Sequence, residues 1–171
     1  MQTGARSLTA FLKTVPVFSG LEGRSLQSVV ATLGEVTFPA GTTIFSEGEL
    51  GRSMFVVDAG EVEIRRSTPS GRQMPIVRLG EGECFGEMAL VELQPRSATV
   101  VAVKKTRCYT LTNLDLYKLF HEDNYAFVII LQNLSRLLSR RLRKADSRIA
   151  LFLETVNPRG STRLTTKRRR P

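Results

Sequence analysis

The residue types and spacing best suited to binding chemistry lie between Phe85 and Val100. Gly86 lets backbone approach a ligand closely, and a short helical turn from Glu87 to Leu90 would direct amide groups outward toward an anion. Arg96 follows nine positions after Glu87 and can fold back over this turn, where its planar guanidinium suits a phosphate diester. Glu87 repels phosphate but accepts hydrogen bonds from a sugar hydroxyl. The pair therefore suits a ribose 3′,5′-cyclic phosphate.

Short runs rich in β-branched and aromatic residues surround this stretch. Glycine turns separate them at fairly even spacing, and strands do not alternate with helices. The sequence therefore predicts a mainly β fold, an antiparallel β-roll (jelly roll). The strand-like runs are residues 35–38, 42–45, 54–57, 61–64, 75–79, 98–103 and 107–111.

Helical patterns flank the predicted roll on both sides. At the N-terminus, residues 8–15 have helical spacing, Pro16 ends that pattern, and Ser25 is the predicted cap of a second helix. After the roll, residues 114–120 and a longer run from 125 to 156 are helical. The long run repeats apolar residues every three or four positions, at Leu131, Leu134, Leu138, Leu142, Ala145, Ile149, Phe152 and Val156, and its opposite face carries Arg136, Arg140, Arg143 and Lys144.

These patterns divide the chain into four segments. We expect an N-terminal helical segment (1–34), the β-roll (35–112), C-terminal helices (113–156) and a basic, disordered tail (157–171). Charge follows the same division, because residues 1–135 hold 13 basic and 14 acidic residues while residues 136–171 hold 12 basic and 2 acidic. The body of the protein therefore has no general attraction to polyanions, whereas its last helix and tail do.

Several classes of protein are not expected. Cys84, Cys108 and the single histidine, His121, are too few and too scattered for a metal site, and two reduced thiols are the simpler interpretation. No stretch approaches the roughly 20 apolar residues that span a bilayer, and Lys13 and Pro16 interrupt the N-terminal apolar segment, so a cytoplasmic protein is expected. Because no nucleophile and base pair or P-loop is evident, an enzyme is not expected.

The run FGEMALVELQPRSATV, residues 85–100, resembles the phosphate-binding cassette of the cyclic nucleotide-binding domain family. That family includes bacterial transcription activators, kinase regulatory subunits and ion channels. The resemblance extends over roughly residues 16–149, because three further segments fall in the family's order and spacing: Phe45–Glu49, Phe55–Val62 and Leu79–Glu83.

The resemblance implies roles for individual residues. Glu87 would hold the ribose 2′-hydroxyl and Arg96 the equatorial phosphate oxygens. Backbone amides around Gly86, Met88 and Ala89 would complete the phosphate cradle, and Ser97 would add a hydroxyl. Val77, Leu79 and Val100 are possible walls of the pocket, although a core position is the preferred interpretation for all three. A structural ion pair between Glu87 and Arg96 is the alternative to ligand binding.

The resemblance also implies a role for the long helix, residues 125–156. In the family such a helix closes over the base, and in bacterial activators it joins two subunits. Its apolar positions form nearly a heptad repeat, with Arg141 at one expected apolar position, so a homodimer is predicted. Packing of the helix on its own roll is the alternative. Ala145 and Asp146 stand where activators contact the base, and alanine offers no hydrogen bond, so either cAMP or cGMP remains possible as the regulatory ligand.

Two functions follow from these patterns. The first is a stand-alone cyclic nucleotide sensor that relays binding through its C-terminal helix to an unknown protein effector. The second is a scaffold whose basic helix and tail, including Lys167–Arg170, bind a polyanion or acidic partner nonspecifically. The 15 residues after Val156 hold no helix-turn-helix pattern, so sequence-specific DNA recognition is not expected.

Overall fold

Two four-stranded antiparallel sheets form the centre of the protein in its computed structural model, which describes residues 7–92 and 94–156. The strands are β1 (Gly34–Phe38), β2 (Thr43–Phe45), β3 (Ser53–Ala59), β4 (Val62–Ser67), β5 (Gln73–Leu79), β6 (Cys84–Phe85), β7 (Thr99–Ala102) and β8 (Thr106–Thr112). One sheet has the strand order β1-β8-β3-β6 and the other the order β2-β7-β4-β5. The predicted antiparallel β-roll is confirmed.

The core lies between the sheets because alternate residues of each strand turn inward. Its buried members come from seven of the eight strands: Phe45, Val57, Val62, Leu79, Phe85, Val100 and Cys108. Burying one such side chain contributes about 1.5–3 kcal/mol, so this cluster is a main source of the roll's stability. Cys84 is also buried, and no disulfide joins it to Cys108.

Helices precede and follow the roll, and they contain more of the described residues than the strands do. They are α1 (Leu8–Leu12), a 3-10 turn (Pro16–Phe18), α2 (Gly23–Thr32), α3 (Met88–Val91), α4 (Asn113–Glu122) and α5 (Asn124–Val156). A capping box fixes the start of α4, where Thr112 and Asp115 exchange side-chain to backbone hydrogen bonds.

The predicted start of the second helix at Ser25 is wrong. Helix α2 begins at Gly23 with Glu22 as its cap, and the Leu26 amide donates to the Glu22 carbonyl at 3.3 Å. The Ser25 hydroxyl donates instead to Asp123 Oδ1 at 3.2 Å. Ser25 therefore connects the helices on the two sides of the roll and does not cap its own helix.

The chain divides into two compact units, residues 1–134 and 135–171. Within the first unit, Asn133 at the end of the first third of α5 donates to the carbonyls of Val17 and Ser19 at 3.1 and 2.8 Å. The described part of the second unit is the remainder of α5, up to Val156, and the predicted tail at 157–171 lies outside the described residues. Over the described ranges, no helix has the length and apolar character needed to cross a membrane.

Candidate functional site

The turn between β6 and α3 places Gly86 and Glu87 together in the first unit. Gly86 has a φ of +71°, a backbone conformation that L side chains rarely adopt. Glu87 is the cap of α3, so the helical turn begins one residue later than predicted. The Ala89 amide donates to the Gly86 carbonyl at 3.2 Å and the Leu90 amide to the Glu87 carbonyl at 3.0 Å. The Ala89 amide is thus engaged inside the turn itself.

Arg96 reaches the same turn from the start of the chain segment that leads into β7. Its side chain is buried, with the residue 8% exposed. Nη1 donates to the Ser53 carbonyl at 2.9 Å and to the Gly86 carbonyl at 3.1 Å. The guanidinium carbon lies 4.0 Å from the centre of the Phe45 ring. The structure therefore brings Arg96 and Gly86 into direct contact, as the sequence predicts.

Hydrogen bonds hold the backbone of Arg96 as well as its side chain. Its amide donates to the Glu49 carbonyl at 2.7 Å, and its carbonyl accepts from the Gly48 amide at 2.9 Å. Gly51 lies directly against the guanidinium, because a Cβ atom built there would collide with Arg96 Nε and Cζ. The loop between β2 and β3 thus holds the arginine together with the turn.

The electrostatics of the site combine one buried cation with two carboxylates. Burial lowers the pKa of Arg96, and the charges of Glu49 and Glu87 partly offset that effect. Arginine stays charged in proteins, so the lowered pKa measures the cost of removing the cation from water and leaves the charge in place. Glu87 is only 4% exposed. The site therefore holds charged groups of both signs within a mostly buried turn, which suits a ligand with an anionic group and hydroxyl donors.

Two other predicted residues lie at the surface of the same turn. The Ser97 hydroxyl donates to Met88 Sδ at 3.6 Å, and both residues are exposed. Thioether sulfur is a weak acceptor. The structure thus brings Ser97 and Met88 together, while Ala89 is buried beneath them.

The three possible wall residues separate into two groups. Leu79 and Val100 belong to the buried core cluster, as the preferred interpretation has it. For Val77 that interpretation is wrong, because the residue is 36% exposed. Val77 lies on β5, an edge strand whose residues are exposed as far as Arg78. Val77 is consequently the member of the three that offers an accessible surface.

Residues from the β2–β3 region also shape the site, and the sequence gives little sign of them. Ser53 acts through its backbone carbonyl, which any residue type supplies. Phe45 contacts Arg96 through its ring face, although its apolar character predicts only a core position. Gly48 and Gly51 are the one available signal, since two glycines in a short loop indicate close backbone approach.

Ala145 and Asp146 lie on the part of α5 that belongs to the second unit, and both are exposed. The same part of the helix exposes apolar side chains. Those more than half exposed are Leu142, Ile149, Leu151, Phe152, Leu153 and Val156.

Comparison with known sequences gives one consistent result. A family model described as "Cyclic nucleotide-binding domain" matches residues 35–123, just over half of the chain. The "Cyclic AMP receptor protein" of Thermus thermophilus is 35% identical over 145 residues, covering 82% of this chain and 63% of that protein. A "cAMP-dependent protein kinase regulatory subunit" of Blastocladiella emersonii is 31% identical over 106 residues, covering 62% of this chain and 26% of that protein.

Solved structures agree with the sequence comparison. The crystal structure of Thermus thermophilus catabolite activator protein superposes with a TM-score of 0.72 at 34% identity, covering 80% of this chain and 62% of that one. A cyclic nucleotide-binding domain from Methylobacillus flagellatus shares the fold, with a TM-score of 0.74 at 23% identity, covering 91% of this chain and 88% of that one. The chain spans less than two thirds of the length of the Thermus relative, 63% of its sequence.

Proposed function

We propose that this chain, which belongs to the cyclic nucleotide-binding domain family, binds a 3′,5′-cyclic nucleotide at the turn shared by Gly86, Glu87 and Arg96 and acts as a regulatory protein, not as an enzyme. The observation that most supports this is the buried position of Arg96, held by two carbonyls beside Glu87. A buried guanidinium bonded to neutral carbonyls retains donors for an anion.

Each residue type suits its proposed partner. Arg96 would donate to the equatorial phosphate oxygens, and Glu87 would accept from the ribose 2′-hydroxyl. Backbone amides around Gly86 and Met88, together with the Ser97 hydroxyl, would complete the contacts to phosphate. The Ala89 amide would join them only by exchanging the Gly86 carbonyl for a phosphate oxygen as its acceptor. A thioether is a poor competitor for the Ser97 hydroxyl, so a phosphate oxygen would readily displace Met88 as its acceptor.

Isothermal titration with cAMP and with cGMP tests this function. Arg96→Ala removes charge-assisted hydrogen bonds of about 1.5–3 kcal/mol, so binding should weaken by roughly 10- to 150-fold. Arg107→Ala is the matched control, since Arg107 on β8 is paired with Asp58 away from this turn. A wild-type protein that is folded and yet binds neither nucleotide would refute the proposal.

The choice between cAMP and cGMP is open. The relatives named above are a cyclic AMP receptor and a regulatory subunit of a cAMP-dependent kinase, which makes cAMP the first ligand to test. A bound ligand at 100 times its Kd stabilises the folded protein by about 2.7 kcal/mol. A screen that measures the shift in Tm caused by each cyclic mononucleotide, with cyclic dinucleotides as controls, ranks the ligands by how much they stabilise the protein.

We further propose that the second half of α5 forms a homodimer and relays the bound state to a protein effector. Four apolar residues of this half are spaced by seven, three and four positions, and all are more than half exposed: Leu142, Ile149, Phe152 and Val156. A heptad-like apolar stripe of this kind is stable when it is covered by a second helix. A ligand that binds one geometry of the helix better than another would then shift the equilibrium between them.

Sedimentation of the Ile149→Glu variant tests the dimer. Leu151→Glu is the matched control, because Leu151 is equally exposed but lies on the other side of the helix, two residues away. We expect Ile149→Glu to produce monomers and Leu151→Glu to leave dimers. Dimers that resist Ile149→Glu would refute this interface.

The exposed basic residues of α5 favour one alternative function. Arg140, Arg143 and Lys144 are exposed on the face opposite the apolar stripe. Together with the 157–171 segment they would bind a polyanion or an acidic partner nonspecifically. In that case deletion of residues after Val156 would abolish binding to heparin, while Glu87→Ala would have no effect on it.

A further inference from the structure

Three aromatic rings pack together in a triangle beside the candidate site. The Phe55 and Phe85 rings are stacked, with centroids 5.0 Å apart and an interplanar angle of 9°. The Phe45 ring lies 5.9 Å from Phe85 and 6.0 Å from Phe55. Phe45 is 8% exposed, so its position is set by packing on both neighbours. These contacts give Phe45 a fixed ring plane.

The guanidinium of Arg96 rests on that fixed plane. Its central carbon is 4.0 Å from the centre of the Phe45 ring, well within the range of a cation–π contact. The attraction is stronger when the cation is removed from water, and Arg96 is buried. The contact therefore contributes at the strong end of what such pairs provide.

The short hydrogen bonds of Arg96 hold only one end of its guanidinium. Both of them, to the Ser53 and Gly86 carbonyls, leave from the same atom, Nη1. Nη2 reaches Ser53 Oγ only at 3.5 Å, which is long for a hydrogen bond. The edge formed by Nη2 and Nε is therefore held mainly by packing, which comes from the Phe45 ring and from the close approach of Gly51.

We propose that Phe45 is a positioning residue for phosphate binding, because its ring holds the plane of the Arg96 guanidinium so that Nη2 and Nε face one anion together. This inference rests on the proposed function, in which Arg96 receives the cyclic phosphate. An aliphatic side chain would fill the same core volume without presenting an aromatic face to the cation. Replacing the ring should therefore weaken nucleotide binding by roughly three- to thirty-fold.

The first test compares Phe45→Leu with Phe55→Leu. The two substitutions are the same in chemistry and fall in the same group of three rings, but the Phe55 ring contacts other phenylalanines and has no ring contact with Arg96 among the described residues. Both variants should lose thermal stability, as measured by Tm. Only Phe45→Leu should also lose affinity in titration with cAMP and cGMP. Equal loss of affinity in both variants would overturn the inference.

A double-mutant cycle separates positioning from a general structural effect. In an Arg96→Met background no cation remains above the ring, so Phe45→Leu should change affinity little. If Phe45 merely supports the fold, its replacement should weaken binding by the same factor with or without Arg96. Additive losses across the cycle would therefore contradict the proposed role.

A measurement without nucleotide distinguishes this inference from the proposed function. Protons of the Arg96 side chain above an aromatic face should give upfield-shifted NMR signals, lost in Phe45→Leu and kept in Phe55→Leu. Shifted signals in a protein that binds neither nucleotide would refute the proposed function and leave the positioning contact established. Unshifted Arg96 signals in the folded wild type would overturn the contact itself.

Discussion

Arg96 Nη1 donates a 3.1 Å hydrogen bond to the Gly86 carbonyl, which joins the two ends of the stretch from Phe85 to Val100. The contact requires that residue 86 have no side chain. A Cβ atom built on Gly86 would lie 2.7 Å from Arg96 Nη1, a distance shorter than Cβ atoms keep from non-bonded heavy atoms in proteins. Glycine at position 86 thus permits both the positive φ of the turn and the close approach of Arg96.

Gly86→Ala should therefore weaken nucleotide binding strongly. The substitution strains a backbone at φ +71° and pushes the guanidinium away from its carbonyl partners. We expect a loss of about 1–2 kcal/mol in stability from the backbone, and at least a tenfold loss in affinity for the nucleotide that binds. Titration calorimetry and thermal unfolding measure the two effects separately.

Gly71→Ala is the matched control for this variant. Gly71 has a similar φ of +77°, and a Cβ atom built there would meet nothing within 4 Å. It should lose a similar amount of stability and keep the affinity of the wild type. Equal affinities for Gly86→Ala and Gly71→Ala would mean that the contact with Arg96 does not matter for binding.

Gly51→Ala should displace the same arginine without straining the backbone. Gly51 does not have a positive φ, but a Cβ atom there would collide with the Arg96 guanidinium. We expect affinity to fall while stability falls by less than in Gly86→Ala. Gly80→Ala, also without a positive φ and with open space around it, is the control and should change neither quantity. Affinity unchanged by Gly51→Ala would contradict the importance of this close approach.

Local patterns of the sequence were sufficient to predict seven of the eight strands of the roll, whereas β6, with only two residues, is too short to give a pattern. Strands such as β3 and β8 were predictable because their β-branched and aromatic residues are bounded by turns, and α4 and α5 because their apolar residues recur at helical spacing. The exposure of Val77 was not predictable in this way. Val77 has the residue type of a core position, but it is exposed together with the rest of β5 up to Arg78, which depends on where this strand lies in the folded roll.

The candidate site was predictable where the chemistry lies within one segment. Gly86 and Arg96 are ten residues apart, and their types alone suggest a shared anion. The contact between Phe45 and Arg96 was not predictable, since it arises when distant segments meet in the folded roll. Ser53 could not have been found either, because a backbone carbonyl leaves no mark on the sequence.

Glu63 should make the stability of the roll depend on pH. It is 7% exposed, and hydrogen bonds from Arg65 and Arg78, at 2.8 and 2.9 Å, lower its pKa below the usual 4.5. A lowered pKa in the folded state adds stability above pH 4.5, and that contribution is lost as the pH falls through the folded-state value. Glu63→Gln should therefore be less stable than the wild type at pH 7.

Urea unfolding from pH 7 to pH 3 measures this effect. The difference in unfolding free energy between wild type and Glu63→Gln should narrow below about pH 4.5. Glu92→Gln, which changes an exposed carboxylate after α3, is the control and should differ little from wild type at any of these pH values. A Glu63→Gln difference that stays constant over the range would mean that the two arginines do not stabilise the ionised carboxylate.

Asn133 should be essential for attaching the start of α5 to the N-terminal helices. Its amide nitrogen donates to the carbonyls of Val17 and Ser19, and the residue is 5% exposed. Asn133→Leu preserves the approximate volume but leaves the buried Val17 carbonyl and the part-buried Ser19 carbonyl without this donor, at a cost of about 2 kcal/mol. Gln132→Leu, on the exposed neighbouring position, should cost much less. Nucleotide affinity should stay unchanged in both variants, because Asn133 is not part of the contacts described around Arg96. Denaturant unfolding of the two variants measures the difference in stability. Equal stabilities would show that water replaces the lost amide.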